Sequence, residues 1–314
     1  MAAPFAAWAQ QSGKVWRIGF LALRHVGPMD SDYYGGFVQG MRELGYVEGK
    51  NLVIEWRSAE GRDERLPGLA AELVRLKVDV IVAGGAQSVS AAQKATTTIP
   101  IVMGSVNDPV GGRFIHSLAR PGGNITGLSN ISVELAAKQV ELLLSIVPKA
   151  SRIAVLVNSS NSGHARGVEN IRAATKQAGM AIAPLDARSA PEIENAFSTM
   201  TRGSADGLII LSDGFLNSQG RRISELAAKA RLPAIASLVE YAEAGGLMSY
   251  GQNRTDLYRR SAAYVDKILK GAKPADLPVE QPVKLDLIIN LKAARVVGIT
   301  IPQALLLRAD RVIE

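Results

Sequence analysis

A chain of 314 residues, 47% of them hydrophobic, has enough apolar material for two ordinary domain cores, which excludes a disordered or fibrous protein. Its formal charge of +7 is scattered: Arg221-Arg222 and Arg259-Arg260 are pairs inside helix-like segments, with no longer basic run and no interleaved aromatics, so a solvated surface is expected rather than a nucleic-acid or anionic-membrane face. Cysteine is absent, which removes disulfides, thiolate metal sites, cysteine nucleophiles and lipid attachment through an N-terminal cysteine.

The apolar opening that ends in Ala7-Trp8-Ala9 before Gln10-Gln11 has the A-x-A pattern of a signal-peptidase site. It reads as the remnant of a signal peptide over residues 1–13, and a periplasmic protein is expected. No later segment reaches the roughly 18 uninterrupted apolar residues that span a bilayer.

From Trp16 the patterning predicts a strand (Arg17 to Leu23), a helix (Tyr33 to Leu44) with Gly45 as C-cap, a strand (Leu52 to Trp56) and a helix (Glu64 to Leu76). Asp79-Val-Ile-Val-Ala-Gly84-Gly85 follows, an apolar run closed by glycines that reads as a buried parallel strand. The order then repeats from Ser151: a strand (Arg152 to Asn158), a helix (Ala165 to Ala178) capped by Gly179, a strand (Ala181 to Leu185), a helix (Pro191 to Arg202), and Asp206-Gly-Leu-Ile-Ile-Leu-Ser-Asp213-Gly214. A fourth strand recurs as Ile99 to Val102 and Leu232 to Ile235. Each half is a βαβαβ unit, so the expected fold class is α/β, two doubly wound Rossmann-like lobes with parallel sheets. Ligands of such sheets lie just beyond the strand C-termini, and two facing sets of termini predict a cleft between the lobes.

Met41-Arg-Glu-Leu-Gly-Tyr-Val-Glu-Gly-Lys-Asn-Leu-Val-Ile-Glu55, Arg65-Leu-Pro-Gly-Leu-Ala-Ala-Glu-Leu-Val-Arg75, Asp108-Pro-Val and Leu118-Ala-Arg-Pro-Gly-Gly-Asn-Ile-Thr-Gly127 resemble the ABC-transporter substrate-binding family whose members take up tryptophan and other aromatic amino acids. The likeness runs from about Val15 to Glu314. It implies a type I periplasmic-binding-protein fold with a three-stranded hinge, crossing near Thr126-Gly127, Gly251-Gln252 and Lys284-Leu285. The lobes would then be 14–126 plus 252–283 and 127–251 plus 284–314, with the helix Asp256 to Lys270 in the first. The partners implied are a small carboxylate-bearing ligand, an amino acid or aromatic carboxylate, and an ABC permease of the inner membrane; a monomer without cofactor, metal or nucleic acid is expected.

Polar residues at strand ends are the candidate ligand contacts. Gly84-Gly85-Ala-Gln87-Ser88 opens a helix expected near Val89, where free N–H groups, the helix dipole and the Ser88 hydroxyl suit a carboxylate; Ser88 serves equally as a cap. Asn107 and Asp108 follow the fourth strand, Asp108 being also a natural turn residue before Pro109. Asn158 and Ser160 occupy the equivalent place in the second half, and Asp213 is the candidate partner for a ligand ammonium or a helix cap. Arg24 and His25 in the first loop offer a guanidinium for a carboxylate and a ring for stacking. Ser237, Glu240 and Tyr250 complete the rim, with Tyr250 able to pack on the hinge instead, and Ser129 at the first crossing touches ligand or hinge backbone.

A Rossmann-like enzyme is the natural rival. The first strand ends without a G-x-G-x-x-G turn, no G-x-x-x-x-G-K-[ST] loop or G-x-S-x-G elbow occurs, and His25, His116 and His164 lack metal-ligand spacing. A sugar-responsive repressor needs a helix-turn-helix before its core, and only about fifteen residues precede the first strand. A sensor that reports to a membrane signalling partner is compatible with the same sequence.

Overall fold

The computed structural model describes residues 14–24, 33–131, 135–176, 179–281 and 284–314. The Ala7-Trp8-Ala9 reading and the His25 candidate lie outside them. The first run of elements is β1 (Trp16–Ala22), α1 (Tyr33–Glu43), β2 (Leu52–Ser58), α2 (Leu66–Arg75), β3 (Val80–Ala83), α3 (Ala86–Ala95), β4 (Ile101–Asn107) and β5 (Ile125–Asn130). There follow α4 (Ala136–Ile146), β6 (Arg152–Val157), α5 (His164–Lys176), β7 (Ala181–Asp186), α6 (Ala190–Arg202), β8 (Gly207–Ile210), α7 (Gly214–Ser218), α8 (Gly220–Lys229), β9 (Ala234–Leu238), α9 (Val239–Glu243) and β10 (Met248–Gln252). The chain ends with α10 (Arg254–Leu269), β11 (Asp286–Asn290), α11 (Leu291–Val297), α12 (Gln303–Leu306) and β12 (Arg311–Ile313).

Five strands form one parallel sheet in the order β2-β1-β3-β4-β5, and seven form another in the order β12-β11-β10-β9-β8-β6-β7, where only β10 and β11 run antiparallel. The protein is α/β, with the two doubly wound lobes expected of a type I periplasmic binding protein. In each lobe the strand order reverses once near the start, between β1 and β3 and between β6 and β8, so crossover helices pass to opposite faces.

The sequence dictates this layering directly. Val80, Ile81, Val82 and Ala83 are all fully buried, and strand alternation sends Ile81 and Ala83 into one apolar cluster with Leu66, Ala70 and Leu73 of α2, while Val80 and Val82 join Phe37 of α1 and Tyr258 of α10 on the other face. Phe20 centres that second face, its ring 5.1 Å from Tyr34, 5.4 Å from Phe37, 4.8 Å from Trp56 and 6.1 Å from Tyr258. Helices α1 and α10 approach closely because Gly36 and Gly40 face α10, where an added Cβ would stand 2.3 Å from the carbonyl oxygens of Thr255 and Arg259. Helix α10 thus packs with α1 against one face of the first sheet. In the second lobe Ile153, Val155 and Ile209 face α4, whereas Ala154, Leu156, Leu208 and Ile210 face α6 and α8. One apolar cluster runs through the inner faces of both lobes, from Leu73 and Ile81 to Leu156 and Ile210.

The first crossing differs from its expected place at Thr126-Gly127. Strand β5 keeps its pairing with β4 as far as Asn107↔Asn130, so residues up to Asn130 stay in the first sheet. Gly127, at φ +124°, lies so close to β4 that a Cβ there would meet the Met103 oxygen at 2.4 Å, which makes it a close-approach glycine within a strand. The chain returns between Gln252 and Arg254, and leaves again between Glu280, bridged to Leu128, and Asp286.

Candidate functional site between the strand ends

The C-terminal ends of the central strands of both sheets point toward one another, and hydrogen bonds cross between them. Asp213, 3% exposed, follows β8 and caps α7, its Oδ1 accepting the backbone N–H groups of Phe215 (2.8 Å) and Leu216 (3.1 Å). Oδ1 also accepts Asn158 Nδ2 at 3.0 Å, while Oδ2 accepts Asn161 Nδ2 at 3.3 Å and, from the other lobe, Gln87 Nε2 at 2.6 Å. Gln87 stands in the first turn of α3, where Gly84 and Gly85 end the apolar run of β3; the Tyr258 hydroxyl pins the turn by donating to the Gly84 carbonyl at 2.7 Å. Asn107 makes a second bridge, its Nδ2 donating to the Ser212 carbonyl at 2.9 Å, and its Oδ1 is buried with no hydrogen-bond partner. Ser160 donates to Asp63 and lies 3.4 Å from Gln87 Nε2. Burial pushes the Asp63 carboxyl above the ordinary carboxylate range, with the Asp213 charge adding to the rise and the Ser160 hydroxyl opposing it.

His164 holds the second-lobe strand ends in place. Its Nδ1 accepts the Asn158 N–H at 2.8 Å, so the ring proton sits on Nε2, 2.9 Å from the Ser212 carbonyl. Burial lowers its pKa, against smaller opposing effects of Asp213, the Ser212 carbonyl and Asp186.

Four spaces open around these residues, one of them of about 280 Å³ between Asp63, Gln87, Phe114 and Ser160. A small one of about 20 Å³ lies between Gly84, Gln87, Asn107, Asn130, Asp213 and Arg254, and its room is that of one water. A larger cavity of about 390 Å³ lies at the ends of β8 and β9, with Arg24 reaching it from the first lobe. A groove of about 890 Å³ continues past Arg24 between the lobes, where Glu60, Asp63, Glu64 and Glu192 mix with Arg62 and Arg188.

Among the sequence candidates, Gln87, Asn107, Asn158, Ser160 and Asp213 come together in one hydrogen-bonded cluster, and Arg24 sits at the junction of the two larger spaces, its guanidinium 5.4 Å from the Tyr34 ring centre. Others go elsewhere. Ser88 is 1% exposed and its Oγ has no partner, but the helix begins at Ala86 rather than near Val89, so Gln87 and not Ser88 meets the small cavity. Asp108 faces Arg166 of the other lobe at 3.0 Å and caps its own turn through the Gly111 N–H at 3.0 Å, which leaves it an interlobe ion pair. Ser129 donates to the backbone oxygens of Val106 and Asn130, and its N–H bonds the Glu280 oxygen at 2.9 Å, so it serves the hinge backbone. Ser237 points away from the 390 Å³ cavity because alternation along β9 puts its neighbours Ala236 and Leu238 on that wall. Tyr250 packs on the second-lobe core. Sequence reasoning missed Asn161, four residues past the β6 end, and the apolar wall formed by Ile210 and Leu216.

A family model described as "ABC transporter substrate binding protein" matches residues 25–313. The chain belongs to that family. Among curated proteins a tyrosine-binding protein of Clostridioides difficile is 29% identical over 256 residues, covering 81% of this chain and 73% of the relative. An ABC domain from Streptococcus pneumoniae, solved in complex with L-Trp, superposes with a TM-score of 0.87 at 29% identity, covering 96% of this chain and all of the other. A ligand-free, open substrate-binding protein with adhesive properties from Clostridium difficile, 27% identical over 95% of this chain and 99% of its own, gives only 0.66. At near-equal identity and coverage, the higher score goes to the L-Trp complex, which fits the direct hydrogen bonds between the lobes seen here. The relatives are binding proteins and not enzymes, and among the described residues no helix is long and apolar enough to cross a membrane.

Proposed function

We propose that this substrate-binding protein is the extracytoplasmic solute receptor of an ABC importer, capturing a small carboxylate-bearing molecule, an amino acid or an aromatic compound, between its lobes. The observation that carries this reading is the meeting of Gln87 and Asn107 of the first lobe with Asp213 and Ser212 of the second beside a cavity of about 390 Å³, a size suited to a small organic ligand. Relatives named for tyrosine and solved with L-Trp support the same class of ligand. Ligand selects the closed arrangement because only there do groups from both lobes reach it, and the closed form is what a permease of the inner membrane distinguishes from the empty receptor.

Candidate contacts are Arg24, Gln87, Asn107, Asn158, Ser160 and Asp213. The partition into lobes of 14–130 with 253–281 and of 135–252 with 284–314 fits the sheet order and the packing of α10 on α1. A thermal-shift screen over amino acids, aromatic acids and sugars tests the function: a ligand that binds only the folded chain raises the melting temperature by mass action. Absence of any shift with every small solute, together with measurable turnover of one of them, would reject the receptor reading.

A further inference from the structure

Where Asp63 of the first lobe meets Ser160 of the second, hydrogen-bond acceptors outnumber donors and a carboxylate stands without a cation. Resting on the receptor reading above, we infer that the ligand's ammonium group is received by Asp63 and Ser160, and that its apolar body lies against Phe114 in the adjoining 280 Å³ space.

The Ser160 hydroxyl has one proton and two acceptors, the Asp63 carboxylate and Asn158 Oδ1 at 2.7 Å. Among the described residues it is the one donor that reaches that carboxylate, and no cation comes within ion-pair distance of it. The arginines lining the 890 Å³ groove are engaged elsewhere: Arg62 pairs with Glu60 at 3.6 Å, Arg188 pairs with Asp186 at 3.4 Å, and Arg24 lies over the Tyr34 ring. Glu60, Glu64 and Glu192 line the same groove and add negative charge. Burial, together with the charges of Asp213 and Glu64, holds the Asp63 carboxyl above its ordinary range, against the Ser160 bond and the Arg188 charge. An ammonium brings three N–H donors and the missing positive charge, which satisfies Asp63 and releases the Ser160 proton to Asn158. Asp213 does not need such a partner, because its oxygens already accept five donors at 2.6 to 3.3 Å.

The 280 Å³ space suits the remainder of the molecule. Leu66, Pro67, Ala86, Ala91 and Phe114 of the first lobe give it an apolar wall, and Ser160 and Ser162 of the second lobe close it from the other side. Its two charged residues are Asp63 and Lys94, one of each sign, the complement of a zwitterion. Asp63 and Ser160 also line the 890 Å³ groove, so the ammonium seat lies where the two spaces join, and a ligand held there touches both lobes.

Isothermal titration with matched pairs tests this: L-tryptophan against indole-3-propionate, and L-tyrosine against 3-(4-hydroxyphenyl)propionate. In the unmodified chain the amino acid of at least one pair is expected to bind about tenfold or more tightly than its deaminated partner, the factor a charge-assisted bond commands. In Asp63→Asn that preference should shrink to about threefold or less, with the ligand-free melting temperature kept, since the amide oxygen still accepts from Ser160. A preference unchanged by Asp63→Asn, or deaminated acids that bind the unmodified chain as tightly as the amino acids, overturns the inference and leaves the receptor reading intact. Ser90→Leu, on the α3 face that lines the 280 Å³ space, is expected to cost the amino acid about tenfold, more than Ala236→Leu, which narrows the 390 Å³ cavity; the reverse order places the ligand in the latter and overturns the inference. If none of the four compounds binds but another solute in the screen does, the inference falls and the receptor stands; no binding of any solute defeats both.

Discussion

Gln87 Nε2 donates to Asp213 Oδ2 at 2.6 Å, a bond between residues 126 positions apart that ties the first turn of α3 to the end of β8. Both groups are at least nine-tenths buried, so the bond belongs to the closed arrangement of the lobes and to no other.

Gln87→Ala should therefore act on closure more than on folding. A hydrogen bond to a buried charge contributes about 1.5 to 3 kcal/mol, enough to shift the balance of closed and separated lobes about tenfold or more. Small-angle scattering of the ligand-free chain should show a larger radius of gyration in the variant. An unchanged radius would mean that the remaining interlobe bonds suffice.

The ion pair between Asp108 and Arg166 also spans the lobes, at 3.0 Å, but the Arg166 side chain is 56% exposed. Solvent screening and side-chain entropy reduce such a pair to about 1 kcal/mol or less. Arg166→Ala is expected to change the denaturant midpoint only slightly, and less in high salt than in low.

Two glycine substitutions should move stability in opposite directions. Gly40→Ala puts a methyl 2.3 Å from the Arg259 carbonyl and 2.8 Å from the Ala262 Cβ, so α1 and α10 must separate, at a cost of about 1 to 3 kcal/mol. Gly68, on the exposed face of α2, has nothing within 4 Å, and Gly68→Ala should stabilise by about 0.5 to 1 kcal/mol through helix propensity alone. Urea unfolding of the two variants beside the parent chain measures both.

His164 gives stability a pH dependence of known sign. The unfolded chain takes up a proton at the imidazole near its ordinary 6.5, whereas burial lowers the folded value, so below that pH the unfolded state binds more protons and folding weakens as pH falls. This contribution is fully present above about 6.5 and has a limiting slope of about 1.4 kcal/mol per pH unit. In His164→Gln that component of the slope should vanish; a slope unchanged between about pH 5 and 6.5 would assign it to other groups.

Much of this architecture is legible from periodicity. The all-apolar β3 and β8, the glycine caps Gly45 and Gly179 at φ +88° and +67°, and the repeated βαβαβ order reveal themselves in one dimension. Strand β5 does not, because Ile125-Thr-Gly-Leu-Ser-Asn130 is written in turn residues and becomes a fully buried strand only through its pairing with β4. At the site, Gln87, Asn158 and Asp213 were legible as polar residues at strand ends. Ser237 faces away from the 390 Å³ cavity, and the pattern of a short buried strand does not say which face looks into a cleft; the bridge from Asp108 to Arg166 needs the relation between two lobes that no local pattern contains.

The close seating of α10 against Gly36 and Gly40 also sets an order of events during synthesis. The helix that completes the amino-terminal lobe is encoded after β10, so a growing chain has released all of β6 to β10 before its first lobe can close over Phe20 and Phe37. Until then the face beneath α10 stays wet and sticky, and a carboxyl-side truncation ahead of Arg254 would leave the amino-terminal half as an unfinished, aggregation-prone fragment instead of a separable domain.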